Sequence, residues 1–245
     1  MTKSSHIITI PIYKEKLSER EALRVTKTIA NSGGAPVAFV APQVLDTKYY
    51  ESRADWTDAR LQRFGNRHFT SIAAYSNWLL TTEIYEHFSD YEFLLLVQTD
   101  AFLTRPIDFS LVEHDYIGAP WEPPFKLGWD PIRQRPSMSK FALNKREIHV
   151  GNGGLSIRRN QKMISFLRQI PRVRSFRNED VVIGFFGPDF GLNVAPNSIA
   201  KCFFWAPRDP NTALPPNLNS FHGFHGLELA HSDLELKLLS MRADV

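Results

Sequence analysis

EFLLLVQTDAFL, residues 92–103, decides the fold. Phe93 to Val97 run without a polar break, and Gln98, Thr99 and Asp100 follow before a second apolar patch. A short unbroken apolar run bounded by polar residues reads as a strand buried on both faces. In open α/β sheets, ligands bind at the carboxyl ends of such strands. Asp100, with Gln98 and Thr99 beside it, is therefore a candidate for a site. The alternative is that Asp100 only caps or turns the chain ahead of Pro106.

Working outward, His6 to Tyr13 is β-branched and apolar, a first strand. Ser18 with Glu21 three residues on forms a capping box for a helix with Leu23, Ile29 and Ala30 on its apolar side. Gly33-Gly34 stops that helix, and Val37 to Ala41 is a second buried strand. This β-α-β opening predicts an α/β fold with a mixed, mostly parallel central sheet flanked by helices. Thr70 or Ser71 starts a long helix to about Phe88. Past the central strand, Tyr116 to Trp121 reads as a short strand, and Glu122 to Lys145 as a long Pro-rich and basic loop. A loop of that length inside a domain is usually functional. HVGNGGLSIR (149–158) resumes a strand after a glycine run. A helix follows from Asn160 to Leu167, then Asn178-Glu179-Asp180 ahead of a helix at Val181 to Phe186. Asn193 to Ala200 reads as a strand and turn, and Leu227 to Met241 as an amphipathic helix.

The 245 residues, 43% hydrophobic and 22% charged, are ordinary globular material and suit a single domain over 1–245. A net charge of +3 does not argue for nucleic acid, and the basic residues fit no recognised nucleic-acid module. Their distribution says more. Residues 133–177 hold twelve Lys/Arg and one acid, Glu147, which suits an anionic partner: ligand phosphates or an acidic lipid surface. A solvated basic face is the alternative. The single cysteine, Cys202, excludes an intramolecular disulfide and a multi-Cys zinc cluster, and its apolar neighbours suggest a core position. No signal peptide or membrane span is legible, so the expectation is a cytoplasmic protein, with peripheral contact at the inner face of an anionic membrane through 133–177.

Four polar clusters then need one explanation: QTD (98–100), GNGG (151–154), NED (178–180) and HGFH (222–225). Each adjoins an apolar strand or helix. Carboxylates and histidines from separate segments can hold a divalent metal. With QTDAFL, DYIGAPW, VGNGGLSIR, NEDV and GFHG in this order, roughly residues 5–226 resemble the GT-A-fold, nucleotide-sugar-dependent glycosyltransferases, specifically a glycosyltransferase-like group with these motifs. The resemblance implies a Rossmann-like GT-A domain. Residues 1–105 would bind the nucleotide-sugar, 106–226 the acceptor, and 227–245 would add a C-terminal helix.

The resemblance also implies roles. Gln98-Thr99-Asp100 occupies the slot of an Asp-X-Asp that holds Mn or Mg on the donor diphosphate, with Gln98 in place of the first acid. Asp100 and either His222 or His225 would be metal ligands. Pro11 and Tyr13 would hold the nucleotide base of a UDP- or GDP-linked donor, and Tyr75 and Asn77 would face that donor. Gly153 and Gly154 would pass beneath the sugar, with Asn152, Trp121 and Trp129 toward the acceptor. Asp180, or else Glu179, would be the base of an inverting transfer to a glycan or lipid-linked glycan, as in polysaccharide biosynthesis. For NED, a helix N-cap is the alternative. Two other functions compete. A sugar nucleotidyltransferase would want a Gly-rich loop after the first strand, where Tyr13-Lys14-Glu15-Lys16 has none. A nucleotide-sugar or glycan-binding module without turnover is kept open by Gln98.

Overall fold

A computed structural model describes residues 5–170, 178–207 and 209–241. Strands β1 (His6–Pro11), β2 (Val37–Pro42), β3 (Ala59–Phe64) and β4 (Phe93–Val97) form the parallel half of a seven-stranded sheet of order β3-β2-β1-β4-β8-β6-β7. The antiparallel half is β6 (Tyr116–Asp130), β7 (Arg135–Ser137) and β8 (Leu143–Arg159). A second sheet joins β5 (Ala101–Leu103), β9 (Phe204–Trp205) and β10 (Gly223–His225), with β10 in the middle. The helices are α1 (Glu19–Ala30), α2 (Lys48–Glu51), α3 (Ile72–Leu79), α4 (Glu83–His87), α5 (Asn160–Gln169), α6 (Glu179–Phe186), α7 (Asn197–Phe203), α8 (Leu227–Ala230) and α9 (Ser232–Ser240). The mixed α/β architecture expected from the sequence is the one the chain adopts.

All of Phe93 to Val97 is buried, so β4 is covered on both faces. Its parallel partner β1 contributes Ile7, Ile8 and Ile10 to the same core. The capping box at Ser18 forms: the Glu21 N–H donates to Ser18 Oγ, and the Glu21 carboxylate accepts from the Ser18 N–H. The buried side of α1 is Ala22, Val25 and Thr28 with Arg24 and Lys27, whereas Leu23 is half exposed. This helix buries charge, so its apolar residues alone pick the wrong stripe.

Arg24 is the largest such charge. Its guanidinium is fully buried and makes a paired contact with Glu235 of α9, at 2.9 and 3.0 Å. It also donates to Glu228 of α8 and to the Thr99 carbonyl beyond β4. One side chain thus ties α1, both C-terminal helices and the end of the central strand together.

Several elements differ from expectation. The long helix before β4 is two, α3 and α4, because Thr81 Oγ1 donates to the Trp78 carbonyl at 2.7 Å and competes with the helical ladder. Residues 197–203 are helical, and only Val194 makes a strand-like bridge, to Tyr116. The C-terminal amphipathic stretch breaks between Ala230 and Ser232. Cys202 is exposed on α7, since two residues past buried Ala200 the helix has turned about 200°. The stretch 122–145 is mostly a β-ribbon arm built from β6, β7 and the start of β8. A ribbon exposed at its end needs no long apolar run, so its Pro and basic residues hid it.

Glu235 is fully buried, and without Arg24 the one ion pair left to it among the described residues would be with Arg20, at 3.6 Å. Arg24→Met is expected to cost about 3 kcal/mol, read by chemical denaturation, and the further change Glu235→Leu to recover most of it. Full stability in the single variant would show that Arg24 does not hold these helices.

Candidate functional site

The main-chain N–H of Gln98 donates to the Gly154 carbonyl at 2.8 Å, one step beyond the β4–β8 ladder. The Ala101 N–H then donates to the Gln98 carbonyl, closing the QTD segment into a tight turn between β4 and β5. The glycine run of β8 therefore lies directly beside this turn. A Cβ at Gly154 would overlap Gln98 Oε1 and His225 Nε2, so both side chains rest on bare backbone.

β10 delivers His225 from the other side, through its antiparallel pairing with Ala101 of β5. Its Nε2 sits 3.3 Å from Asp100 Oδ1, yet that nitrogen is buried without a well-formed hydrogen bond. Asn152 engages the other ring nitrogen, Nδ1, at 2.9 Å. The Gly154 N–H donates to Asn152 Oδ1, which turns the Asn152 amide nitrogen toward the ring. In that arrangement the imidazole proton resides on Nε2 and faces Asp100. Asn152 is thus the clamp on His225. For the Asp100 carboxyl, burial acts upward, but His225 and the Arg24 charge outweigh it and hold the group below its ordinary value.

Beneath the turn lies a polar support that the sequence reading missed. Thr99 Oγ1 donates to Glu21 Oε1 at 3.2 Å, and Lys14 Nζ donates to the same oxygen at 2.8 Å. The Glu21 hydrogen bond raises the Lys14 pKa, and Asp100 adds to the effect. The capping box was visible; that its glutamate also bridges the first loop to Thr99 needs tertiary contact and had no local signal.

On the far side of the glycine run, NED opens α6. Its two acids have opposite environments. Glu179 is buried, paired with fully buried Arg158 at 3.2 Å, and accepts from Ser76 Oγ at 2.9 Å. A Cβ at Gly153 would overlap its carboxylate. Asp180 accepts from the Val181 N–H at 2.7 Å and the Gly153 N–H at 3.3 Å. Burial, reinforced by the Glu179 charge, raises its pKa to about 7. Glu179 is held by Arg158, and Asp180 is the acid of the two whose pKa is raised. Asn178 makes no side-chain cap. Nearby, the buried Tyr75 hydroxyl lies beside Gln98 and within reach of the Glu179 charge, without a well-formed hydrogen bond. Such a group is the kind a ligand satisfies.

The structure thus brings together Gln98, Thr99, Asp100, Asn152, Gly153, Gly154, Glu179, Asp180, His225 and Tyr75. Pro11 is buried at the end of β1, and Tyr13 is exposed beyond it. Asn77 lies on the exposed side of α3. Trp121 is buried against Gly151 and Phe125, and Trp129 stands edge-on to Phe186; both pack the arm onto its neighbours. His222 lies apart from Asp100: its Nδ1 is 2.7 Å from the Pro106 carbonyl, its Nε2 3.3 Å from Arg105, and its ring stacks on Phe203. Adjacent strand residues point to opposite faces, so of the two histidines in HGFH only His225 faces the turn. A groove of about 500 Å³ lined by Arg63, Glu83 and His87 shares no residue with this cluster.

Residues 58–208 match the model of DUF5672, a protein family of unknown function. The chain belongs to that family. The matched span carries the QTD turn, the glycine run and both acids of α6, but not His225 or Arg24. No curated protein matches the sequence. Among solved structures, the chain is similar to the galactosyltransferase LgtC in complex with donor and acceptor sugar analogs. That alignment has 14% identity, 98% coverage of this chain, 97% of LgtC and a TM-score of 0.52. An active-site mutant of LgtC aligns at 14% identity over 89% of this chain and 86% of its own, with a TM-score of 0.48. The LgtC complex identifies the fold of this DUF5672 chain as GT-A.

Two outcomes follow. Folded Asp180 takes up its proton near pH 7, whereas an unfolded aspartate does so near 4. Between those values the folded chain holds the extra proton, so stability falls as pH rises from about 4 to about 7, by up to about 4 kcal/mol. Asp180→Asn is expected to flatten that profile in thermal melts; an unchanged slope would contradict the raised pKa. Gly154→Ala is expected to retain the fold by circular dichroism but to cost about 1–3 kcal/mol by chemical denaturation, because the added methyl must displace His225 and Gln98. Unchanged stability would show that neither side chain rests on Gly154.

Proposed function

We propose that this protein transfers a sugar from a nucleotide-diphosphate donor to a glycan or lipid-linked glycan acceptor. The observation that carries the reading is the convergence of Gln98, Asp100 and His225 over Gly154, with Asp180 held on adjacent Gly153. The proposed diphosphate site and the carboxylate of raised pKa then lie over adjacent glycines of β8.

A divalent cation fits this donor set. The His225 nitrogen is buried, with Asp100 Oδ1 at 3.3 Å but no well-formed hydrogen bond, and Asp100 and Gln98 supply oxygens over a floor without side chains. Ligation by Nε2 needs the ring proton moved to Nδ1 and the Asn152 amide turned over. Gln98 brings no charge, so affinity rests on Asp100 and His225. When bound, the cation would neutralise the donor diphosphate.

The protein's own groups do the rest. Tyr13 stands at the end of β1, where a nucleotide base could lie, and Tyr75 faces the donor side of the turn. Arg158 and Ser76 hold Glu179 and thereby fix the first turn of α6. Asp180, as carboxylate, accepts the proton of the acceptor hydroxyl. The acceptor oxygen bonds to the anomeric carbon as the bond to the diphosphate oxygen breaks, and the nucleoside diphosphate departs. Attack opposite the leaving group inverts the anomeric centre.

A panel of UDP- and GDP-sugars, screened for turnover with and without Mn²⁺, tests the class. Asp180→Asn is expected to lower turnover by about a hundredfold or more while leaving nucleotide affinity unchanged. Undiminished turnover removes Asp180 from the base role, and a retained configuration in the product by NMR removes the inverting assignment. Gln98 supports a second reading, a nucleotide-sugar-binding module without turnover. Metal-dependent nucleotide binding without transfer across the panel would favour it.

A further inference from the structure

The β-ribbon arm ends in a patch that neither the core nor the candidate site uses. Four large apolar side chains are exposed at its distal end: Ile132 at 89%, Phe141 at 72%, Met138 at 64% and Leu143 at 54%. Leu143 sits opposite Trp129 in the β6–β8 pairing, and β7 pairs back to Gly128. The turn after β6 and the connection from β7 to β8 therefore share one end of the ribbon, and that end carries all four residues. Arg133, Arg135, Lys140 and Lys145 are interspersed among them, with Lys140 over the Phe141 ring. The one acid in residues 130–146 is Asp130, which is buried and satisfied by the N–H groups of Ile132 and Arg133 and by the Arg133 guanidinium.

The arm does not need these groups for its own stability. Trp121, Leu127 and Ile148 pack with Phe185 of α6 nearer its base, and Trp129 meets Phe186. Arg146 is spent on Asp189. The tip thus presents a surface in which exposed apolar side chains are interspersed with cations. Isolated apolar residues on a surface need no explanation, but a cluster set in positive charge at the end of a projection does. Long basic side chains reach headgroup phosphates while neighbouring apolar groups enter the acyl boundary. A nucleic acid would use the cations and leave the four apolar side chains in water.

We propose that the tip of the arm, residues 131–145, docks on an anionic phospholipid surface. Ile132, Met138, Phe141 and Leu143 insert at the headgroup boundary, and Arg133, Arg135, Lys140 and Lys145 meet lipid phosphates. From Leu143 to Gly151 the arm extends eight residues, about 26 Å at roughly 3.3 Å each. Docking at the tip would hold the QTD cluster that far from the surface. This inference does not depend on the proposed transfer reaction.

The test is co-sedimentation of the full-length protein with vesicles of phosphatidylcholine alone and of phosphatidylcholine with phosphatidylglycerol. The expected result is binding to the anionic vesicles only, weakened by high salt. Lys140→Glu with Lys145→Glu should reduce it by about tenfold or more. Ile132→Ser with Phe141→Ser should reduce it similarly at unchanged charge. Both changes are at exposed positions, so melting temperature and UDP or GDP affinity should stay as in the parent protein. No sedimentation with anionic vesicles, equal sedimentation with neutral ones, or unaltered binding in either double variant would overturn the proposal. Competition by a DNA duplex that binds equally to the Ile132→Ser, Phe141→Ser variant would assign the cations to nucleic acid instead.

Discussion

The antiparallel pairing of β8 against β4 is the constraint on which the rest depends. A parallel neighbour would bring the same ends of both strands together. The antiparallel one carries the glycine run, which lies early in the ladder, to the carboxyl end of β4, and the bond from Gln98 to Gly154 fixes the match. Slipping the register by one residue would place a different peptide beneath the turn and reverse which side chains face it. The turn and both acids of α6 lie against this one strand, and His225, delivered by β10, rests on its Gly154.

Buried charge holds the surroundings in place. Arg24 draws the C-terminal helices onto the turn from one side, and Arg158 fixes the start of α6 from the other. Each guanidinium is enclosed and each has a buried carboxylate, so neither charge is uncompensated. Breaking such a pair costs more than the pair itself contributes, because the remaining charge is stranded. Both arginines therefore act on geometry more than on net stability.

Much of this was legible in the sequence, and the failures have a common cause. Phe93 to Val97, the capping box at Ser18 and the glycine run of 151–154 announce themselves through local chemistry, and all three are where the pattern puts them. The roles of neighbouring residues with the same chemistry could not be separated in that way. Glu179 and Asp180 are adjacent acids, and only their contacts show that one is paired with Arg158 while the other is not. His225 ends a three-residue strand that pairs it with Ala101, whereas His222 lies just before that strand and turns to Pro106 and Arg105. Arg24 and Glu235 are 211 residues apart, and nothing local marks them as partners. The arm was hidden for a different reason: its sequence has the composition of a loop because its end meets solvent.

The floor under Gln98 and His225 is peptide backbone, with no side chain at Gly154 to alter. Whatever rests there meets the same amide surface however the chain varies. Under the proposed reading, discrimination between ligands of similar size would then come from side chains around that floor, where substitutions leave the sheet undisturbed. Such a division lets a lineage exchange its ligand by editing loops, while the part of the molecule that is hardest to rebuild stays constant.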